Sequence, residues 1–147
     1  MEIAKIETIE SIISKAKVCR LGLADERQPY VVPLCFGYRE NALYFHTGKE
    51  GRKIDILKKN PKVCFEMELD VEIFPAENPC KWNMHYKSVV GFGRAFFLED
   101  PAEKRQALDI IVKHYGGAPT AYDEKLVSGL AVIKVEINSM KGKESKV

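Results

Sequence analysis

Apolar positions along the chain change period several times, and each change marks an element. Over residues 3–16, Ile6, Ile9, Ile12, Ile13 and Ala16 recur at helical spacing, the stripe of a helix that buries one face. The next run, Val18 to Ala24, is short and apolar, as a buried strand requires. Asp25-Glu26-Arg27-Gln28 reads as a turn, Pro29 to Tyr38 as a second strand, Arg39-Glu40-Asn41 as a tight connection and Ala42 to Thr47 as a third strand. These three predict an antiparallel meander. Ile54, Ile56 and Leu57, followed by Asn60-Pro61, outline a short helix over Arg52 to Lys59. From Lys62 to Leu69 the period falls to two, with Val63, Phe65, Met67 and Leu69 alternating against Lys62, Cys64, Glu66 and Glu68, the pattern of a half-buried strand.

The second half is punctuated differently. Asp70 to Pro79 carries two prolines and weak periodicity, and leaves both a loop and a frayed strand end open. His85 to Leu98 is long and β-prone, and Gly91 and Gly93 predict a strand bent at a barrel corner. Asp100-Pro101-Ala102-Glu103 combines an N-cap carboxylate, proline at the first helical position and Glu at N3, so a helix starts there; it ends at Tyr115-Gly116-Gly117. Tyr122 to Val127 predicts one more helical turn, and Ala131 to Met140 a last strand. The expected fold is mainly β with peripheral helices, a six-stranded antiparallel barrel in a single domain over residues 1–140, with 141–147 as a flexible tail. Gly22, Gly37, Gly91 and Gly93 suit barrel bends but do not form the G-x-G-x-x-G of a dinucleotide fold.

Composition narrows the function classes. The 147 residues fit one domain of ordinary size. Lys plus Arg number 23 against 21 Asp plus Glu, a formal charge of +2 that offers no general attraction to nucleic acid or an anionic membrane, so any cationic function must be local. MEIAKIETIE has acids and no apolar h-region, and no run approaches 18 apolar residues, which predicts a cytoplasmic protein. Cys19, Cys35, Cys64 and Cys80 form no C-x-x-C pair, arguing against zinc. Cys19, Cys35 and Cys64 lie inside apolar runs and are expected as buried hydrophobes, Cys80 in a proline-rich loop as exposed.

The chemistry concentrates at Leu43-Tyr44-Phe45-His46-Thr47-Gly48-Lys49-Glu50-Gly51-Arg52-Lys53. An apolar strand runs into a glycine-flanked turn and delivers two cations to the first turn of a helix, beside free backbone N–H groups. Cations are otherwise disfavoured at that end of the helix dipole, so the pair points to an anionic ligand. His114, in the last turn of the later helix, suits that dipole and reads as structural.

Gln28-Pro29-Tyr30-Val31-Val32-Pro33-Leu34, Tyr44-Phe45-His46-Thr47, Gly51-Arg52-Lys53, Asn60-Pro61-Lys62-Val63 and Ser88-Val89-Val90-Gly91-Phe92-Gly93-Arg94-Ala95 stand in an order and spacing that resemble the FMN-binding split-barrel family of pyridoxamine 5′-phosphate oxidase. Within it the chain looks most like the nitroimidazole-resistance (Nim-type) branch, by the His46-Thr47 pair before Gly51-Arg52-Lys53 and the Trp82-x-x-x-Tyr86 segment before Ser88-Val89. The resemblance runs from about Cys19 to Tyr115 and implies a homodimer with FMN in the cleft between two barrels. It implies that Arg52 and Lys53 hold the phosphate, with Thr47 adding a hydroxyl. Val32, Pro33, Leu34, Cys35 and Phe36 would line the flavin ring, and Ser88 and Val89 would lie on a facing strand. Trp82 and His85 would reach a partner's flavin, and His46 would act at the flavin edge as a catalytic acid or hydrogen-bond donor. Val89 is apolar where the oxidase carries a polar flavin contact, and no C-terminal arginine motif is present, which turns the reading away from pyridoxamine phosphate oxidation. The implied function is an FMN-dependent oxidoreductase reducing a small electrophile such as a nitroimidazole, supplied by a separate electron donor. The alternatives are a non-catalytic flavin- or haem-binding module and a deazaflavin-dependent reductase on the same barrel.

Overall fold

The computed structural model describes residues 1–26 and 28–146; Arg27 of the expected turn and Val147 of the expected tail lie outside the described residues. The elements are β1 (Glu2–Ile3), α1 (Ile6–Lys15), β2 (Cys19–Ala24), β3 (Pro29–Leu34), β4 (Gly37–Arg39), β5 (Ala42–Gly48), α2 (Arg52–Lys59), β6 (Lys62–Phe74), a 3-10 turn (Pro79–Lys81), β7 (Asn83–Leu98), α3 (Pro101–His114), α4 (Glu124–Ser128) and β8 (Leu130–Ser145). Eight described strands replace the six expected, and they pair in the order β3-β2-β6-β7-β8-β5-β4, with β1 on β8. Every pairing is antiparallel. β3 and β4 end that path on opposite sides, yet only Cys35 and Phe36 separate them in sequence. Two residues bridge no more than about 7–10 Å, so the sheet has to roll up and close as a barrel.

That crossover also corrects the meander. Pro29 to Tyr38 is not one strand: the Phe36 N–H donates to the Tyr115 hydroxyl (3.1 Å) instead of to a strand neighbour, and the Phe36 ring is fully buried. The hairpins β2–β3 and β4–β5 remain, while β5 takes β8 as its other neighbour. The expected tail is corrected as well. Residues 141–145 continue β8, because β7 is long and is paired along that length, Tyr86 opposite Ser145 and Val89 opposite Gly142. β6 likewise runs on to Phe74 past a bulge between Leu69 and Glu72, where Asp70 has φ 55°.

Alternate residues of each strand fill the barrel: Leu21, Leu43, Phe45, Phe65, Met67, Val89, Ile133 and Val135 are all buried. Ile9, Ile12 and Ile13 of α1 and Ile54, Ile56 and Leu57 of α2 join the same core. Gly91 is fixed by space, since a Cβ there would overlap the Phe65 ring across the β6–β7 pair. One cysteine is an outward alternate of β6 and another stands in the β3–β4 crossover. Cys64 and Cys35 are exposed, a correction: an apolar neighbourhood in sequence does not fix which face of a strand a residue takes, and a single position of parity decides it.

Candidate functional site

The strand-turn-helix feature forms as its sequence predicts. β5 leads through Gly48 and a short turn to Gly51, the N-cap of α2, at φ 133° and ψ 174°, a conformation reserved for glycine. No side chain caps this helix start, and nothing stands within 4 Å of where a Gly51 Cβ would be. α3 and α4 are finished differently: the Asp100 carboxylate accepts from the Glu103 N–H (3.1 Å) and the Asp123 carboxylate from the Lys125 N–H (2.9 Å). The first N–H groups of α2 thus face open space beside two cations, which is the donor set a phosphate monoester requires.

Arg52 is held from β3. Its guanidinium donates to Gln28 Oε1 (3.4 Å) and lies over the Tyr30 ring, 4.8 Å from the centroid. It also borders an open cavity of about 690 Å³ lined by Asp25, Glu26, Asp55 and Asn60 among others. Lys53 is half-buried in the same first turn. His46 and Thr47 sit on β5 opposite Val132 and Ala131, both half-buried. His46 Nε2 lies 3.9 Å from the Cys35 sulfur at the end of β3. The strand-turn-helix unit thus carries His46, Thr47, Arg52 and Lys53, and barrel closure sets Cys35 beside His46.

The remaining expected residues divide. Val32 and Leu34 face inward and pack on the core, and Phe36 belongs to it, so toward solvent that segment offers main chain together with Val31, Pro33 and Cys35. Ser88 and Val89 are buried on β7, three strands along the sheet from β3. Trp82 precedes β7, 56 % exposed, with its indole N–H donated to the Ala76 carbonyl (2.7 Å). No hydrogen bond or ring contact joins Ser88, Val89 or Trp82 to the His46–Arg52 group among the described residues.

Three participants escaped the sequence reading. Gln28 and Tyr30 position Arg52, although they stand in a quoted motif. Tyr115 locks the β3–β4 crossover: besides accepting from Phe36 N–H, its hydroxyl donates to the Lys17 carbonyl (2.7 Å), and burial pushes the phenol up. Beside it His114 Nε2 donates to the Ala16 carbonyl (2.6 Å) and the imidazole stacks on Phe36, 4.2 Å between centroids, a contact set that ties α1, the crossover and α3 together.

The outer face of β7 carries Val90, Phe92 and Phe96, each at least 40 % exposed. Beside them Arg20 serves two carboxylates, Glu68 at 2.8 Å and Glu66 at 3.5 Å. Burial, then the hydrogen bond and charge of Glu68, push Glu66 up to about 7 against the opposing pull of Arg20.

The chain aligns over most of its length (97 %, and 85 % of the other chain) with the crystal structure of a candidate 5-nitroimidazole antibiotic resistance protein from Bacteroides thetaiotaomicron, at 38 % identity and TM-score 0.86. The fold alone is shared with the flavocytochrome Anf3 of Azotobacter vinelandii (21 % identity, TM-score 0.86, 99 % of this chain and 70 % of that one). The same holds for an FAD- and haem-binding protein of Mycobacterium smegmatis (15 %, TM-score 0.88, 99 % and 74 %). An uncharacterized protein of Rhizobium meliloti is 32 % identical over 96 residues, which span 65 % of this chain and about half (55 %) of that protein. No helix among the described residues is long and apolar enough to cross a membrane. The family model described as pyridoxamine 5′-phosphate oxidase matches residues 5–144, almost the whole chain, and the protein belongs to that family.

Proposed function

We propose that the protein is a homodimeric FMN-dependent oxidoreductase that passes electrons to a nitroimidazole or another small nitroaromatic. The observation that carries the cofactor is the open start of α2, an uncapped helix N-terminus with Arg52 and Lys53 in its first turn. The 38 % identity to a candidate nitroimidazole-resistance protein supports the substrate class. In this reading the α2 N–H groups, Arg52 and Lys53 bind the phosphate, and Thr47 adds a hydroxyl donor. Bound FMN supplies hydride and electron transfer. The main chain of Val32 to Phe36 gives the flat ring close approach, and His46 holds or delivers a proton at its edge. Val90, Phe92 and Phe96 supply the apolar area that a second copy covers, and Trp82, with the β7 main chain at the buried Ser88 and Val89, completes the cleft from across that interface.

Reconstitution tests this in order. Purified protein mixed with FMN gives a bound flavin spectrum at one per chain and a dimer by sedimentation. Anaerobic stopped-flow then follows reoxidation of the reduced complex by a nitroimidazole, and His46→Ala slows it by roughly 10²–10⁴-fold with FMN binding nearly intact. Rates equal to those of free reduced FMN would demote the protein to a flavin-binding module, the reading that the shared fold of the flavocytochrome and the FAD- and haem-binding protein favours.

A further inference from the structure

The four thiols of this chain occupy three kinds of environment, and one of them is paired with a base. Cys19 is fully buried, and burial pushes its thiol up to about 12, which leaves it inert. Cys64 and Cys80 are exposed, and neither sulfur has a hydrogen-bond partner among the described residues. Cys35 is exposed too, and it alone faces an imidazole, with Nε2 of His46 at 3.9 Å, within reach of an S–H···N contact when Nδ1 carries the ring proton. Neither partner is on a loose segment. His46 lies in the middle of β5, paired to Val132, and the next residue after Cys35 is pinned through its N–H to Tyr115, itself bonded to Lys17. A nucleophile held against a base by two rigid elements is the arrangement that activates a thiol.

We propose that Cys35 is a covalent modification site, a thiol that His46 activates for attack on hydroperoxides. The Sγ–H bond breaks and its proton passes to Nε2 of His46 as sulfur bonds to the distal peroxide oxygen. The O–O bond breaks, and the departing hydroxide or alkoxide takes the proton back from the imidazolium. Sulfur is oxidised to a sulfenic acid and the hydroperoxide is reduced to water or an alcohol. The step uses no flavin, and because the proposed ring position shares Val32 to Phe36 and His46, it is followed in the protein with and without FMN.

The test treats the whole protein with hydrogen peroxide at neutral pH in the presence of dimedone, which traps sulfenic acids, and measures labelling of each cysteine peptide by mass spectrometry. Cys64 and Cys80 serve as controls inside the same molecule. Cys35 is expected to label at least about tenfold faster than either, and His46→Gln to bring it within about twofold of Cys64. Equal labelling of the three exposed thiols in the wild type would overturn the proposal, as would fast Cys35 labelling that survives loss of the imidazole. If His46→Gln fails to fold, the wild-type ratio decides alone.

Discussion

Two helices of this protein begin in opposite ways. α3 is completed by its own chain: the Asp100 carboxylate takes the Glu103 N–H, Pro101 occupies the position whose N–H would be unused, and the start requires nothing further. α2 begins at a glycine in a conformation that side chains avoid, has no capping side chain and carries Arg52 and Lys53 where the dipole disfavours them. The first start contributes stability within the monomer. The second forgoes that stability and keeps donors available, as the proposed phosphate site requires.

The widest separation of the two starts comes from changing charge at the open one. Arg52→Ala and Lys53→Ala should each weaken FMN binding by about 1.5–3 kcal/mol, the worth of a charge-assisted hydrogen bond. Stability of the flavin-free protein should stay within about 0.5 kcal/mol, because Arg52 is exposed and Lys53 is no more than half-buried. Unchanged flavin affinity in the double mutant would sink the phosphate assignment. Gly51→Ala breaks the contrast from the backbone side. A methyl at φ 133° costs about 1–3 kcal/mol of strain, so flavin-free protein should melt earlier, and FMN affinity should drop because the N–H groups shift. Asp100→Ala is the mirror experiment: about 1 kcal/mol of stability lost by chemical denaturation, with FMN affinity untouched. Any loss of flavin binding there would show that the two starts are not independent.

A smaller effect asks the same question of charge satisfied inside the chain. Arg20 is shared between two carboxylates, and Glu66, held near 7, is the one left short. Its folded value lies above the unfolded value of 4.5, so ionised Glu66 opposes folding. The stability it contributes is complete below about 4.5 and lost as pH rises through about 7. The side chain is 37 % exposed, and solvent screening limits the effect to about 0.5–1 kcal/mol. Glu66→Gln should therefore gain on the wild type between pH 5 and pH 8, read by urea denaturation at both. Parallel curves would remove Glu66 from the balance.

What could be read in advance was local. The start of α3 lies in four adjacent residues, and the two cations at α2 follow from one strand, one turn and one helix signal in series. The break in Pro29 to Tyr38 could not be read, because its cause is the Tyr115 hydroxyl, 79 residues from Phe36. Cys35 beside His46 and Arg52 beside Gln28 and Tyr30 depend likewise on barrel closure, which no periodicity encodes. The face taken by Cys64 was within reach: it alternates with Val63 and Phe65 in a run whose period had already been identified, and parity places it outside.

β8 has a consequence for the order in which the molecule assembles. It hydrogen-bonds to β7, β5 and β1, and Glu2 pairs with Lys143, so the last strand of the barrel is tied to its first. Until residue 145 has cleared the ribosome, β7 has a bare edge and β5 lacks the neighbour that covers His46 and Thr47. Contacts of such sequence separation are slow to form, and an unpaired strand of this length invites pairing with other chains. Synthesis thus leaves a window in which that edge is open to other chains, and the candidate site is among the last features to exist.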